Sequence, residues 1–157
     1  MKEIITMIEM KVESILFDPK SNMPVVVLKS STNSKSLPIG IGIFEASAIA
    51  LKLDGIISPR PLTHDLLKSI IEKLNAKVSK IYINRLKDNT FYARISLEVA
   101  QKELNIDCRP SDAIALALRT NSPIFVEEKV IINATNKEDL KIFLKSLRRE
   151  DFGKYKM

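Results

Sequence analysis

From Phe91 to Val99 the apolar residues Phe91, Ala93, Ile95, Leu97 and Val99 alternate with Tyr92, Arg94, Ser96 and Glu98. Shortly after, Leu104, Ile106 and Cys108 alternate with Asn105, Asp107 and Arg109. A two-residue period marks strands with one buried face, so the middle of the chain is committed to an antiparallel sheet. Making the apolar faces coincide sets Ile95 opposite Cys108, Leu97 opposite Ile106 and Val99 opposite Leu104, because a one-residue slip would invert a strand. The same register puts Arg94 beside Arg109 and Ser96 beside Asp107. The preceding strand, residues 78–86, is expected to pair Ile83 with Ala93 and Ile81 with Ile95. That leaves Lys87-Asp88-Asn89 as a three-residue loop with Asn89 left-handed. Tyr82 then faces Arg94, Asn84 faces Tyr92, and one sheet face collects Tyr82, Tyr92, Arg94, Asp107 and Arg109.

Around this centre the pattern predicts more strands and several helices. Residues 4–17 and 23–28 read as a hairpin across the turn-forming Asp18-Pro19-Lys20-Ser21-Asn22. Residues 30–36 are a polar loop and 37–43 a short strand. Residues 44–53 are a helix closed by Asp54-Gly55. After the rigid Ser58-Pro59-Arg60-Pro61-Leu62, Thr63 is expected to cap a helix to about Asn75 with the apolar stripe Leu66, Leu67, Ile70, Ile71 and Leu74. Pro110 opens an Ala/Leu-rich helix to about Arg119, followed by a strand at 124–126. Asn136 is expected to cap a last helix, docked through Leu140, Phe143, Leu144 and Leu147, with a charged tail from Arg148. The expected fold is α+β: a mostly antiparallel or mixed sheet with about four helices around it in one compact domain. Residues 1–135 form that domain and residues 136–157 the C-terminal helix and tail. The string A-I-A-L-x-L occurs at residues 48–53 and again at 113–118, marking two small-sided helices able to approach closely.

Composition removes whole classes of function. With 157 residues, 45% of them apolar and 28% charged, the chain has the make-up of a globular domain. No apolar run is long enough to span a bilayer, and the N-terminus lacks the pattern of a signal peptide, so the expected location is cytoplasmic. One cysteine, Cys108, excludes an internal disulfide, and one histidine, His64, excludes a site needing two imidazoles from one chain. Cys108 falls on the apolar parity of its strand and reads as a core thiol. The net charge of +6 is mostly scattered lysine and the C-terminal tail, a solubilising surface that leans only weakly toward polyanions.

Two segments concentrate the chemistry: Pro59-Arg60-Pro61-Leu62-Thr63-His64-Asp65 and Asp107-Cys108-Arg109-Pro110-Ser111-Asp112. Each brings Arg-Pro to a helix start and an aspartate into the first turn. That pattern has a purely structural meaning, with acids complementing the helix dipole and arginines pairing with them. It also describes a pair of anion sites, in which Arg60, Arg109 and Arg119 contact phosphate, with Ser111 at the helix start and Arg94 reaching in from the sheet. Tyr82 and Tyr92 would be stacking platforms for single-stranded nucleic acid. Asp65 and Asp112, with Asp107 and Glu45 near, are candidate carboxylates for catalysis, and Asp65 and Asp112 candidate ligands for a divalent cation such as Mg. His64 is either the proton-transfer group or an exposed surface histidine. Glycine-rich phosphate-loop and dinucleotide fingerprints are absent.

The same strings, Pro59-Arg60-Pro61-Leu62-Thr63-His64-Asp65-Leu66 and Asp107 through Thr120, resemble the bifunctional nuclease domain family. Leu37-Pro38-Ile39-Gly40-Ile41 with Phe44-Glu45-Ala46, and Pro123-Ile124-Phe125-Val126, fit the same family. The resemblance runs from about Leu16 to Val130. It implies an α+β nuclease acting on DNA and RNA that self-associates as a homodimer or higher homo-oligomer. Many members carry tryptophan where this chain has Gly40, and many append a UVR-type helical hairpin, which is not expected in residues 136–157. The resemblance transfers no catalytic set; the roles given to His64, Asp65, Asp112 and Glu45 rest on the residues. Three functions follow: a metal-assisted nuclease, a non-catalytic nucleic-acid or anion-binding regulator, or a dimerisation or small-ligand module built on the Ala-rich helices.

Overall fold

The computed structural model describes residues 4–32, 34–134 and 137–149. Seven strands form one mixed sheet: β1 (Met7–Asp18), β2 (Met23–Ser30), β3 (Ser36–Gly40), β4 (Ala76–Lys87), β5 (Thr90–Val99), β6 (Lys102–Cys108) and β7 (Ile124–Glu127). Their order is β3-β2-β1-β7-β4-β5-β6. All neighbours are antiparallel except β4 and β7, which run parallel. The helices are α1 (Ile43–Leu53), α2 (Thr63–Lys73), α3 (Pro110–Thr120), α4 (Glu128–Ala134) and α5 (Lys137–Ser146). No helix among the described residues is long and apolar enough to cross a membrane.

The expected α+β architecture is present. α1, α2 and α3 form a layer over the sheet face that carries Ile81, Ile83, Ala93, Ile95 and Leu97. α3 lies between α1 and α2. Its Ala113, Ala115 and Ala117, with Ala46, Ala48 and Ala50 of α1, are all buried. Small side chains let the two helices carrying the repeated string pack closely, which brings their N-termini together. Gly55, at φ +68°, closes α1, and the left-handed Asn75 and Asn121 follow α2 and α3.

Several local expectations are corrected. β6 pairs with β5 two residues out of the expected register: Ala93 faces Cys108, Ile95 faces Ile106 and Leu97 faces Leu104. A two-residue shift keeps every side chain on its face, so apolar parity cannot detect it. The turn decides, because left-handed Ala100 and Gln101 close a two-residue hairpin. Arg94 therefore faces Asp107, and Ser96 faces Asn105, whose Oδ1 accepts the Ser96 hydroxyl at 2.7 Å. The β4–β5 loop is likewise two residues, Asp88-Asn89, both left-handed. Asn84 does not face Tyr92; it is bulged out, and Arg85 takes that place. The α2 stripe is only half covered, with Leu67 and Ile71 against the core and Leu66, Ile70 and Leu74 exposed.

α4, a short helix between β7 and α5 that the periodicity does not announce, buries Val130 and Ile131 in the core. Its seven residues are too short for a periodic signal. α5 ends at Ser146 rather than near Arg149. Arg148, assigned to the tail, instead exchanges backbone hydrogen bonds with Phe17 at the end of β1. Asn136, the side chain of Leu140 and residues 150–157 lie outside the described residues.

Candidate active site

Three helix N-termini meet at one open cleft of about 440 Å³, lined by Phe44 and Glu45 of α1, Thr63 and His64 of α2, and Arg109 and Asp112 of α3. Glu45, Asp65 and Asp112 occupy the third position of their helices, where an acid complements the dipole and can reach back to the chain before the helix. Only Asp65 is seen doing so, accepting the Leu62 amide at 2.9 Å. This corrects the expected cap: Leu62 holds the cap position and Thr63 is the first helical residue.

Asp112 turns into the cleft. Its Oδ1 lies 2.9 Å from His64 Nε2, and its Oδ2 accepts Arg109 Nε at 3.0 Å and Nη2 at 2.8 Å. Arg109 Nη2 also sits 2.6 Å from Glu45 Oε1. The result is a continuous chain, Glu45–Arg109–Asp112–His64, joining all three helices. His64 is buried, so the reading of it as a surface histidine is overturned. An ionised carboxylate only accepts, so His64 donates through Nε2, which in the neutral ring leaves the lone pair on Nδ1. Arg109 is two-thirds exposed and its Nη1 has no partner among the described residues. Its hydrogen bonds to Asp112, then the charges of Asp112 and Glu45, raise the guanidinium pKa further and hold it as a fixed cation.

Arg119 and Asp65 form a second, structural cluster. Arg119 is buried; its Nε donates to Asp65 Oδ1 at 2.8 Å, Nη1 to the Ala115 carbonyl and Nη2 to the Ala48 carbonyl, each at 3.0 Å. With all three nitrogens bonded to α1, α2 and α3, Arg119 ties the helices together and is not part of the cleft wall. Partial burial pushes the Asp65 carboxyl up, but the Leu62 amide and Arg119 outweigh it and its pKa is lowered.

The other expected site residues are dispersed. Arg60 is exposed and is not part of the cleft wall, although Pro61 and Leu62 are. Ser111 is buried in the first turn of α3. Arg94, Tyr82 and Tyr92 stand on the sheet face opposite the helix layer, so they do not share a site with Arg109, which caps α3 instead of extending β6. Asp107 is exposed on β6. Cys108 packs against the core, and burial, then the charges of Asp107 and Asp112, push its thiol up to about 12. It is expected to resist thiol reagents at pH 8 in the folded protein and to react fully in denaturant, as a titration with a chromogenic disulfide would measure.

The donor set does not fit a divalent cation as arranged. Asp65 and Asp112 are each committed to an arginine, Glu45 to Arg109. No group of three His, Cys, Asp or Glu side chains among the described residues is placed to hold a metal.

Two contributors escaped the sequence reading. Phe44 is three-quarters exposed on the cleft rim; its signal was an aromatic residue off the buried face of α1. Gly42 is the other, because a Cβ there would collide with the Glu45 carboxylate. Gly42→Ala is expected to displace Glu45 from Arg109 and lower any activity of the cleft by roughly 10–100-fold, read as an initial rate.

Comparison with known proteins follows the same residues. The model of the bifunctional nuclease domain matches residues 26–139. An uncharacterized protein of Mycobacterium tuberculosis is 40% identical over 126 residues, covering 80% of this chain and 75% of that protein. A rice protein (Oryza sativa subsp. indica) named bifunctional nuclease 1 is 30% identical over 113 residues, or 69% of this chain and 34% of its own length. An Arabidopsis thaliana protein of the same name is 26% identical over 110 residues, again 34% of its length. The region matched by the family model, residues 26–139, includes every residue of the cleft.

Proposed function

This chain belongs to the bifunctional nuclease domain family, and from that premise we propose that it hydrolyses phosphodiester bonds of DNA and RNA in the cleft where His64, Asp112, Arg109 and Glu45 meet. The observation that carries the reading is the Asp112 carboxylate. Placed where it would complement its own helix, it instead divides between an imidazole and an exposed arginine.

In the proposed mechanism a substrate phosphate takes the free Nη1 of Arg109 and the unbonded first-turn amides of α3, where three helix dipoles favour an anion. Glu45 and Asp112 fix the guanidinium from two sides, so little reorganisation is needed when charge builds on the phosphoryl oxygens. His64 Nδ1 takes a proton from water, and the water oxygen bonds to phosphorus as the ester P–O bond breaks. The imidazolium, steadied by Asp112, returns the proton to the leaving oxygen. Phe44 offers a face for a neighbouring base. Both carboxylates of the cleft are already engaged by Arg109, so no step is routed through a metal.

The test is cleavage of end-labelled single-stranded DNA and RNA by purified protein, with and without EDTA. Cleavage that persists in EDTA and is lost in Asp112→Asn supports the mechanism, whereas equal cleavage by both proteins points to a contaminant. A second reading is a non-catalytic anion-binding module, favoured by the exposed Nη1 of Arg109 where three helix N-termini converge; it predicts salt-sensitive binding without turnover. Self-association as a homodimer or higher oligomer is also proposed, from the exposed Leu66, Ile70 and Leu74 of α2 and the exposed Leu104 and Ile106 of edge strand β6.

A further inference from the structure

β4 carries two bulges, at Ser79 and Asn84, where its register against β5 jumps. Each bulge exchanges the faces of the residues that follow it. The apolar Val78, Ile81, Ile83 and Leu86 thereby stay on the helix-covered side, opposite Leu97, Ile95, Ala93 and Phe91. Strict alternation would have mixed the two sets. The other side of β4 consequently reads Lys77, Lys80, Tyr82, Arg85 and Lys87, and β5 beside it adds Tyr92 and Arg94.

None of these five cations has an acidic partner among the described residues. Two face an acid in the register without forming an ion pair, Lys77 opposite Glu98 and Arg94 opposite Asp107; Lys80 faces Ser96, Arg85 faces Tyr92 and Lys87 faces Thr90. The rings are interleaved with the charges: Lys80 Nζ lies 5.8 Å from the Tyr82 ring centre and the Arg85 guanidinium 5.4 Å from that of Tyr92. A row of unneutralised cations selects a polyanion. Tyrosines between them select one with exposed planar bases, which a duplex hides and a single strand presents. From Lys77 to Lys87 the row runs about 30 Å, the scale of several nucleotides.

We propose that this face of β4 and β5 is a second binding surface, separate from the cleft, for single-stranded nucleic acid. Phosphates lie along Lys80, Arg85, Lys87 and Arg94 while bases stack on Tyr82 and Tyr92. Arg94 faces Asp107, two residues before Arg109, so the surface ends at the edge strand from which the cleft arginine emerges. The surface holds the strand; it performs no chemistry, and it stands whether or not the cleft cleaves.

The test is fluorescence anisotropy of labelled 20-nucleotide oligo(dT) and oligo(U), and of a duplex of equal length, in several salt concentrations. Asp112→Asn protein is used so that turnover does not consume the probe. The expected result is tighter binding of the single strands than of the duplex, weakened about tenfold by Tyr82→Ala or Tyr92→Ala. Arg85→Gln and Arg94→Gln are each expected to reduce the salt slope by about one, with thermal melting unchanged because these side chains are exposed. Adding Arg109→Gln leaves that binding in place. Single-strand binding indifferent to all four sheet variants, binding lost only with Arg109, equal affinity for the duplex, or no binding would each overturn the proposal.

Discussion

Replacing His64 with alanine is expected to lower the proposed cleavage of DNA and RNA by roughly 10²–10⁴-fold, the usual contribution of a positioned acid–base group. The effect is chemical because His64 does not anchor the fold through its polar atoms: its one hydrogen-bond partner among the described residues is Asp112. His64→Ala nevertheless empties a buried volume, so its melting temperature must be read beside its rate. Asp112→Asn avoids that difficulty, since it keeps the shape of the side chain. An amide has one acceptor oxygen where the carboxylate has two, so it cannot serve His64 and Arg109 together. A rate loss of similar size in Asp112→Asn, with unchanged melting, is the expected result. A rate within twofold of wild type in both variants would remove the His64–Asp112 pair from the mechanism.

Arg119→Met is expected to destabilise the protein by about 3 kcal/mol, the cost of breaking a buried pair while leaving its partners behind. Arg119 bonds to Asp65, to the Ala48 carbonyl of α1 and to the Ala115 carbonyl of α3. Its loss frees all three helices at the end of the layer that shapes the cleft. For a chain of this size the melting temperature falls by about 6–12 °C. Asp65→Asn costs less, about 1 kcal/mol, because Asp65 is 40% exposed and solvent screens part of the interaction. The pH dependence has a definite sign. The folded-state pKa of Asp65 is lowered, so its stabilisation is complete above the ordinary carboxylate range near 3.9 and is lost as pH falls through the lower folded value. The gap in stability between wild type and Asp65→Asn is therefore expected to close below about pH 4, as acid denaturation of both proteins would reveal.

The strands of the centre and the helix starts at Pro61-Leu62-Thr63 and Arg109-Pro110 were legible because their signals are local. Alternation, proline and capping acids act within a few residues. For the same reason the sequence brought forward His64, Asp112, Arg109 and Glu45 as candidates. It could not separate Arg109 from Arg119, since both are arginines of the same helix region with an aspartate at hand. One reaches an open cleft and the other is buried on two carbonyls, a difference set by which face of α3 meets α1.

Alternation also pointed to the right strands and the wrong pairing. A shift of two residues between β5 and β6 conserves every face, and only the closure of the Ala100-Gln101 turn selects among the allowed registers. The bulges at Ser79 and Asn84 are decided in the same way: β4 must keep Val78, Ile81 and Ile83 against α3 while pairing with β5 along its length. No rule confined to β4 itself contains that requirement. The sequence alone thus determined the α+β class, the family, the helix starts and the residue types of the cleft. Tertiary structure alone decided which arginine faces the cleft and which is buried, that the tyrosines lie on the opposite face, and that Phe44 and Gly42 belong to the site. These outcomes depend on contacts between residues far apart in the chain, which local periodicity does not encode.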